Sequence, residues 1–265
     1  MAEIWNLDLE DPAPTTEETF TIEQEPADLD FTADVTPPLL DAALDRHIIV
    51  LHGWGNKAAD MNRWVGALKE AGLNADRYLW NLQYDYTKQF PIAAKTLLAY
   101  FKEQAAKGHN FRDVLFLCYS MGGVVARQMI AQGFPVTRLA TVCSPHLGMM
   151  YGPAFPGVDP GVQSLKQGSS ELTRLNSDPR EGALRSRYFF ASVSYRHANG
   201  LGQWDHDDDT AVDGWSARGD SLSGGLRRHK VWLKYQGGVG VMIGEPHKEG
   251  MNPALFRPVI DFLRG

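Results

Sequence analysis

A serine stands where a predicted strand turns into a predicted helix, in the run D-V-L-F-L-C-Y-S-M-G-G-V-V-A-R-Q-M-I. So tight a turn forces strained backbone angles on Ser120, and it requires small residues two positions to either side, where the chain has Cys118 and Gly122. The turn exposes the hydroxyl at a helix N-terminus, whose amides favour developing negative charge. The run therefore predicts a nucleophile elbow of the G-x-S-x-G kind, with cysteine at the first position. The alternative is a serine that caps the helix.

A glycine-containing loop, H-G-W-G, follows directly after the apolar run I-I-V-L. Acyl transfer requires backbone amides that point at the developing oxyanion, and a loop after a neighbouring strand can supply one. We expect the donors to be the amides of Trp54 and of Met121, the residue after the serine. The alternative is an ordinary turn at the end of a strand, with His52 buried beside it.

Strand and helix patterns alternate from Arg46 onward, and these elements would position both motifs. Short apolar, β-branched runs predict strands, and apolar residues at helical spacing predict helices. Their alternation is typical of βαβ units and a mainly parallel sheet. The predicted strands are 47–51, 77–80, 113–118, 138–143, 188–193 and 230–235, and the predicted helices are 58–71, 91–106, 121–132 and 253–264.

Charge is unevenly distributed along the chain. The 265 residues have a net charge of −6, yet residues 1–45 contain thirteen Asp and Glu and no Lys or Arg, so residues 46–265 sum to +7. We therefore divide the chain into an acidic extension, 1–45, and a folded domain, 46–265. Block acidity of this kind is typical of a solvated arm, which here could include one or two short strands. The alternative is an arm that lies on the basic domain.

Composition excludes several classes of protein. No apolar run reaches the roughly 18 residues of a membrane-spanning helix. The start of the chain lacks the basic and apolar regions of a secretory signal, so we expect a cytoplasmic location. Two cysteines, Cys118 and Cys143, cannot form a disulfide framework and are predicted to be small core residues. The negative net charge argues against a nucleic-acid partner, and we expect a monomer or weak oligomer.

The chain resembles the α/β-hydrolase superfamily, in particular its bacterial lipase and carboxylesterase branch. Five segments carry the resemblance, in family order: H-G-W-G, C-Y-S-M-G-G, T-V-C-S-P-H-L-G at 141–148, Q-S-L-K-Q-G-S-S-E-L-T-R-L-N at 163–176 and D-T-A-V-D-G-W-S-A at 209–217. Cys118 departs mildly from the usual glycine of the elbow, and residues 1–45 have no counterpart. The resemblance implies an α/β fold: a mainly parallel central sheet, helices on both faces and a short cap insertion.

The resemblance also implies a catalytic triad in the chain order Ser, Asp, His. A serine hydroxyl is a weak nucleophile until an imidazole accepts its proton and a carboxylate orients that imidazole. His247, in G-E-P-H-K-E-G, occupies the place of the family's histidine. The family's acid-bearing loop aligns its carboxylate with Asp209, and Asp208 and Asp213 are the alternatives.

The remaining acidic residues of this loop, in W-D-H-D-D-D-T-A-V-D-G-W, allow two interpretations. One is a solvated acidic surface loop, and the other is a Ca²⁺ site, because clustered carboxylate oxygens suit that ion. Otherwise we expect no metal and no cofactor.

The segment 146–162 is rich in Gly, Pro, Met and aromatic residues and is expected to line or cap the substrate pocket, with Trp54 beside it. The insertion is short, which favours an esterase of short or medium acyl chains over a lipase that acts at an oil surface. The predicted pocket residues are His52, Tyr119, His146, Met149, Met150, Tyr151 and Phe155.

Together these features predict a serine carboxylesterase or lipase that cleaves a small-molecule ester through an acyl-enzyme. An acyltransferase or thioesterase with the same triad is the alternative, because fold and triad alone do not set the acceptor. A non-catalytic binding module is a third hypothesis. The Ser, Asp and His in family order argue against it, since a scaffold needs none of them.

Overall fold

The computed structural model describes residues 46–73, 77–149, 159–199, 202–236 and 245–265. The predicted acidic extension and the predicted pocket residues Met150, Tyr151 and Phe155 lie outside these ranges. Within them, no helix is both long enough and apolar enough to cross a membrane.

Strands and helices alternate through the described residues. The strands are β1 (Arg46–Leu51), β2 (Tyr78–Leu82), β3 (Asp113–Tyr119), β4 (Arg138–Val142), β5 (Tyr188–Asn199), β6 (Gly202–His206) and β7 (Arg227–Gln236). The helices are α1 (Asn62–Glu70), α2 (Phe90–Ala106), α3 (Met121–Ala131), α4 (Pro160–Ser164), α5 (Ser170–Ser177), α6 (Pro179–Leu184), α7 (Gly214–Ala217), α8 (Glu245–Lys248) and α9 (Arg257–Arg264). Short 3-10 turns, Ala58–Met61 and Pro253–Leu255, replace the starts of the two helices predicted at 58–71 and 253–264.

The strands form one mainly parallel sheet, as predicted. Strands β2, β1, β3, β4 and β5 lie side by side in that order, and β7 runs parallel to β5. Strand β5 is longer than predicted, and its second half pairs with the antiparallel strand β6. Strand β6 was not predicted, because its sequence, G-Q-W-D-H, has no apolar run to mark it.

Helices cover both faces of the sheet, because alternate residues of each central strand point to opposite sides. In β1, Ile48 and Val50 belong to the apolar cluster that includes Trp64 of α1. The intervening Ile49 and Leu51 belong to the cluster formed with α2 and α3. The central strands are therefore buried on both faces, which explains their nearly continuous apolar sequences.

His47, near the start of β1, is buried and neutral. Its Nδ1 accepts a hydrogen bond from Trp80 Nε1 at 3.0 Å, and its Nε2 donates to the backbone oxygen of Asn110 at 3.1 Å. Burial, reinforced by the neighbouring His109, lowers the pKa of His47 from 6.5 to about 3. The bond from Trp80 requires the neutral ring, since a protonated Nδ1 could not accept from the indole, whereas Nε2 can donate to Asn110 in either state.

We expect mild acid to destabilise the protein through His47. Because the folded pKa is below the unfolded value of 6.5, the unfolded chain binds more protons. The contribution to stability is complete above pH 6.5 and is lost as the pH falls toward 3, which amounts to about 2 kcal/mol between pH 7 and pH 5. Urea denaturation at both pH values should show a smaller loss in His47→Gln than in the wild type. Equal losses in the two proteins would refute the assignment.

Candidate active site

Ser120 joins β3 to α3 in a strained turn. Its backbone has φ +50° and ψ −127°, a conformation that residues other than glycine rarely adopt and that costs on the order of 1–3 kcal/mol. Its amide donates a hydrogen bond to the backbone oxygen of Val142 at 2.9 Å, which ties the turn to the end of β4. The hydroxyl is thereby held at the edge of the sheet where β3 and β4 end.

Two glycines allow this turn to pack directly on the end of β1. A Cβ on Gly122 would lie 2.6 Å from the carbonyl oxygen of His52 and 2.7 Å from that of Leu51. A Cβ on Gly53 would lie 2.7 Å from the Cβ of Ser120. Even alanine at either position would push the two backbone segments apart, so the loop after β1 and the turn at Ser120 are fixed against each other.

Three side chains from distant parts of the chain form a continuous series of hydrogen bonds. Nε2 of His247, on α8, lies 3.0 Å from Oγ of Ser120, and Nδ1 of the same ring lies 2.7 Å from Oδ2 of Asp209. The Tyr119 hydroxyl donates to the backbone oxygen of His247 at 3.0 Å, and the two rings are 5.0 Å apart. The imidazole is therefore held with one nitrogen toward the serine and the other toward the acid.

Asp209 is the carboxylate that meets this imidazole. It has no exposed surface, and its Oδ1 accepts hydrogen bonds from the amides of Ala211 at 3.0 Å and Val212 at 2.7 Å. These two bonds fix the plane of the carboxylate and leave Oδ2 for His247. The four-residue turn that begins at Asp209 thus fixes the orientation of its own carboxylate.

The two alternative acids have other surroundings. Asp208 accepts a hydrogen bond from the amide of Thr210 at 2.8 Å. Asp213 is the residue at the N-terminal cap of α7, and burial, together with the negative charge of Asp208, raises its pKa. Of the three candidates, Asp209 is the one that the structure brings to His247.

The outer carboxylates of the acidic loop are paired with cations. Asp207 accepts hydrogen bonds from Arg218 at 2.9 and 3.0 Å and lies 2.8 Å from Nζ of Lys230. The Arg218 guanidinium, assisted by that ammonium, lowers the pKa of Asp207. Asp205 forms a two-point ion pair with Arg196, at 2.5 and 2.8 Å. The predicted solvated acidic loop is thus a surface network of ion pairs whose carboxylates stay partly exposed, and calcium binding there stays a prediction.

One group of metal-binding side chains occurs among the described residues, and it includes the acid and the imidazole. The ligand atoms of Cys143, Asp209 and His247 lie within 4.8 Å of one another. A zinc ion would have to lie about 2.0–2.3 Å from each ligand atom and would replace the Asp209–His247 hydrogen bond. Burial, followed by the charge of Asp209, raises the pKa of the Cys143 thiol, and a protonated thiol is a poor ligand.

The residues predicted to supply oxyanion amides flank Ser120. Met121 is the first residue of α3, where helical amides lack partners within the helix. Trp54 follows Gly53, which packs on Ser120. The indole of Trp54 is 44% exposed and donates to Oδ2 of Asp159 at 2.7 Å, so the side chain spans from this loop to the start of α4.

The structure corrects part of the predicted pocket. His52, Tyr119 and His146 are at most 1% exposed, so they support the site from behind and do not line it. The ring of His146 stacks on Phe190 at 3.6 Å and shares a 2.8 Å hydrogen bond with the hydroxyl of Thr141. Sequence resemblance located these residues near the site, but burial removes them from contact with a substrate. Met149 is half-buried, and the other predicted pocket residues lie outside the described ranges.

A buried ion cluster beside His146 was not predicted. Arg127 of α3 and Glu181 of α6 are fully buried and form a 2.7 Å ion pair, and the other oxygen of Glu181 pairs with Arg185 at 2.7 Å. Arg127 also donates to Oδ1 of Asn176 at 2.9 Å, so the cluster joins α3 to α5 and α6. Its sequence signal is an arginine within the mostly apolar helix that follows Ser120. Removing one partner of such a pair typically costs about 3–5 kcal/mol.

Comparison with solved structures identifies the architecture. No protein-family profile matches this sequence, and no curated protein is detectably similar to it. The mature lipase BlEst2 of Bacillus licheniformis superposes with a TM-score of 0.51 at 17% identity, over 84% of this chain and 93% of that one. Lipase B of Aspergillus fumigatus gives 0.51 at 12% identity, over 82% and 54%. The ydeN gene product of B. subtilis gives 0.50 at 10%, over 83% and 100%. At such identities the likeness establishes the fold.

Proposed function

The chain has the α/β-hydrolase fold that its sequence predicted, and on that premise we propose that it is a serine hydrolase that cleaves carboxylic esters. The observation that carries the proposal is the series of hydrogen bonds from Ser120 Oγ through His247 to Asp209, at 3.0 and 2.7 Å. A strained elbow presents the serine, and a buried, amide-bound carboxylate meets the imidazole. Two of the similar structures are lipases by name, which agrees with an ester substrate.

Asp209 sets the tautomer that the reaction requires. A carboxylate only accepts hydrogen bonds, so the proton of the neutral imidazole resides on Nδ1, facing Oδ2 of Asp209. Nε2 is then free to accept the proton of the Ser120 hydroxyl, 3.0 Å away. As that proton moves, Oγ attacks the ester carbonyl, and Asp209 stabilises the imidazolium that results.

The acyl-enzyme then forms and breaks in two matched steps. His247 returns its proton to the departing alkoxide, which leaves as an alcohol while the acyl group stays on Oγ of Ser120. A water molecule then attacks the acyl carbonyl while His247 accepts its proton. The bond between that carbonyl carbon and Oγ of Ser120 breaks, Oγ takes the proton back from His247, and the carboxylic acid is released. In both steps the amides of Met121 and Trp54 are the proposed donors to the oxyanion, each typically contributing about 3 kcal/mol.

Reaction with a fluorophosphonate probe tests the proposal. We expect the wild-type protein to be labelled once, on the peptide that contains Ser120, and to hydrolyse p-nitrophenyl esters. A series from acetate to palmitate would then give the acyl-chain preference. Mass spectrometry of the labelled digest locates the modified residue. The proposal fails if the protein neither reacts with the probe nor hydrolyses any ester, or if the label is on another serine.

A further inference from the structure

Side chains hold two successive carbonyl groups in the loop that follows β1. The hydroxyl of Tyr84 donates a hydrogen bond to the backbone oxygen of His52 at 2.7 Å. The ring of His52, through Nδ1, bonds the backbone oxygen of Gly53 at 2.8 Å. Tyr84 and His52 are 2% and 0% exposed, so water does not compete for these bonds. Tyr84 and the ring of His52 itself therefore hold the carbonyl groups of two consecutive residues in this loop.

The His52 ring is itself immobilised on Tyr84. The two rings stack with centroids 4.4 Å apart and planes inclined by 13°. Burial lowers the pKa of His52, so the ring is neutral and has one donor and one acceptor nitrogen. The carbonyl of Gly53 requires the proton on Nδ1, and the backbone amide of Tyr84 accordingly faces the bare Nε2 at 3.5 Å. The tautomer with its proton on Nδ1 therefore satisfies both polar contacts of the His52 ring.

Holding the Gly53 carbonyl also sets the direction of the next amide. The peptide unit is planar, so the C=O of Gly53 and the N–H of Trp54 point in opposite directions within one rigid group. This peptide borders the nucleophile, because a Cβ on Gly53 would lie 2.7 Å from the Cβ of Ser120. The carbonyl of His52, held by Tyr84, is also the one against which Gly122 of the elbow packs.

We propose that Tyr84 is a positioning residue: acting through His52, it fixes the Trp54 amide as an oxyanion donor. The inference rests on the proposed ester hydrolysis and adds a requirement to it. An oxyanion donor binds the transition state more strongly than the substrate, so its misalignment lowers kcat and leaves KM unchanged. Tyr84 is only 2% exposed, so a direct effect on substrate binding is not expected.

Tyr84→Phe tests this, because it keeps the stacked ring and removes only the hydroxyl. We expect kcat for a p-nitrophenyl ester to fall about tenfold with KM within twofold, less than the 10²–10³ lost when a donor is removed outright. The rate of fluorophosphonate labelling, which also builds negative charge on oxygen, should fall in parallel. Tyr188→Phe is the matched control, since its buried hydroxyl has no hydrogen-bond partner among the described residues. We expect it to match the wild type.

A second variant separates positioning from general destabilisation. His52→Phe removes the shorter of the two hydrogen bonds to the Gly53 carbonyl, that of the imidazole at 2.8 Å, and leaves the 3.3 Å bond from the amide of Asn56. We expect it to lower kcat at least as much as Tyr84→Phe. If both residues act through the orientation of the Trp54 amide, the double variant is no slower than His52→Phe alone. All rates are normalised to active sites titrated with the probe, so unfolded protein does not contribute. Multiplying effects, or a Tyr84→Phe kcat equal to that of Tyr188→Phe, would overturn the inference while the ester hydrolysis stands. An inactive wild type would instead refute the proposed function.

Discussion

Ser120→Ala is expected to lower kcat by roughly 10⁶-fold, the loss typical of removing a triad nucleophile. The reason is that His247 and Asp209 act only through the serine oxygen, which lies 3.0 Å from Nε2. Without that oxygen, the remaining acceleration comes from the oxyanion donors acting on direct attack by water, about 10³–10⁴ over the uncatalysed rate. The measurement is steady-state ester hydrolysis together with fluorophosphonate labelling, which should vanish.

The fold should be unaffected by this substitution. Alanine and serine both have a Cβ atom, so the backbone strain at position 120 is the same in the two proteins. The hydroxyl that is lost bonds only His247 among the described side chains. Thermal denaturation followed by circular dichroism should therefore give a midpoint within about 2 °C of the wild type, since a change near 0.5 kcal/mol corresponds to about that shift. Residual labelling of a folded Ser120→Ala protein would show that the reactive nucleophile is elsewhere.

Asp209→Asn is expected to lower kcat/KM by about 10⁴-fold, because it reverses the tautomer of His247. The amides of Ala211 and Val212 require an acceptor at Oδ1, so the asparagine oxygen remains there and its NH2 group replaces Oδ2. That group donates to Nδ1 of the imidazole and moves the ring proton to Nε2. A protonated Nε2 cannot accept the proton of Ser120, although every heavy atom stays in place.

The neighbouring acids provide matched controls for this loss. Asp208→Asn and Asp213→Asn make the same chemical change within four residues of Asp209, and neither carboxylate contacts His247 among the described hydrogen bonds. We expect both variants to stay within about threefold of the wild-type kcat/KM, because neither side chain takes part in the hydrogen bonds that orient Asp209 and His247. Near-normal hydrolysis by Asp209→Asn, with a large loss in either control, would move the acid to that residue.

The sheet was predictable because its central strands are buried on both faces and read as continuous apolar runs, as in H-I-I-V-L. The elbow was predictable because it is local: Ser120, its small neighbours and the flanking strand and helix lie within one short segment. The α/β-hydrolase fold that the sequence resemblance implied is confirmed by the superpositions. The proximity of Asp209 and His247 could be expected only from that resemblance, since 38 residues separate them.

Long-range polar pairing was not predictable. Nothing near Arg127 in the sequence indicates that its partner is Glu181, 54 residues away. For the same reason the sequence did not indicate which cations pair with the partly exposed carboxylates of the acidic loop, namely Arg218 with Asp207 and Arg196 with Asp205. His52 and His146 were assigned to the pocket because motifs report proximity to a site, while exposure depends on packing from other segments.

His247 lies on α8, after the last strand of the sheet, and its partner Ser120 precedes it by 127 residues. A ribosome adds residues in order and folds the earlier part of a chain first. The elbow and the strand beside it can therefore form while the nucleophile still lacks its base. On the proposed mechanism, hydrolysis would begin only once His247 has been made and its imidazole has docked on Ser120. A nascent chain that ends before His247 would therefore carry the strained serine without its base, and the appearance of probe labelling would report the docking of α8.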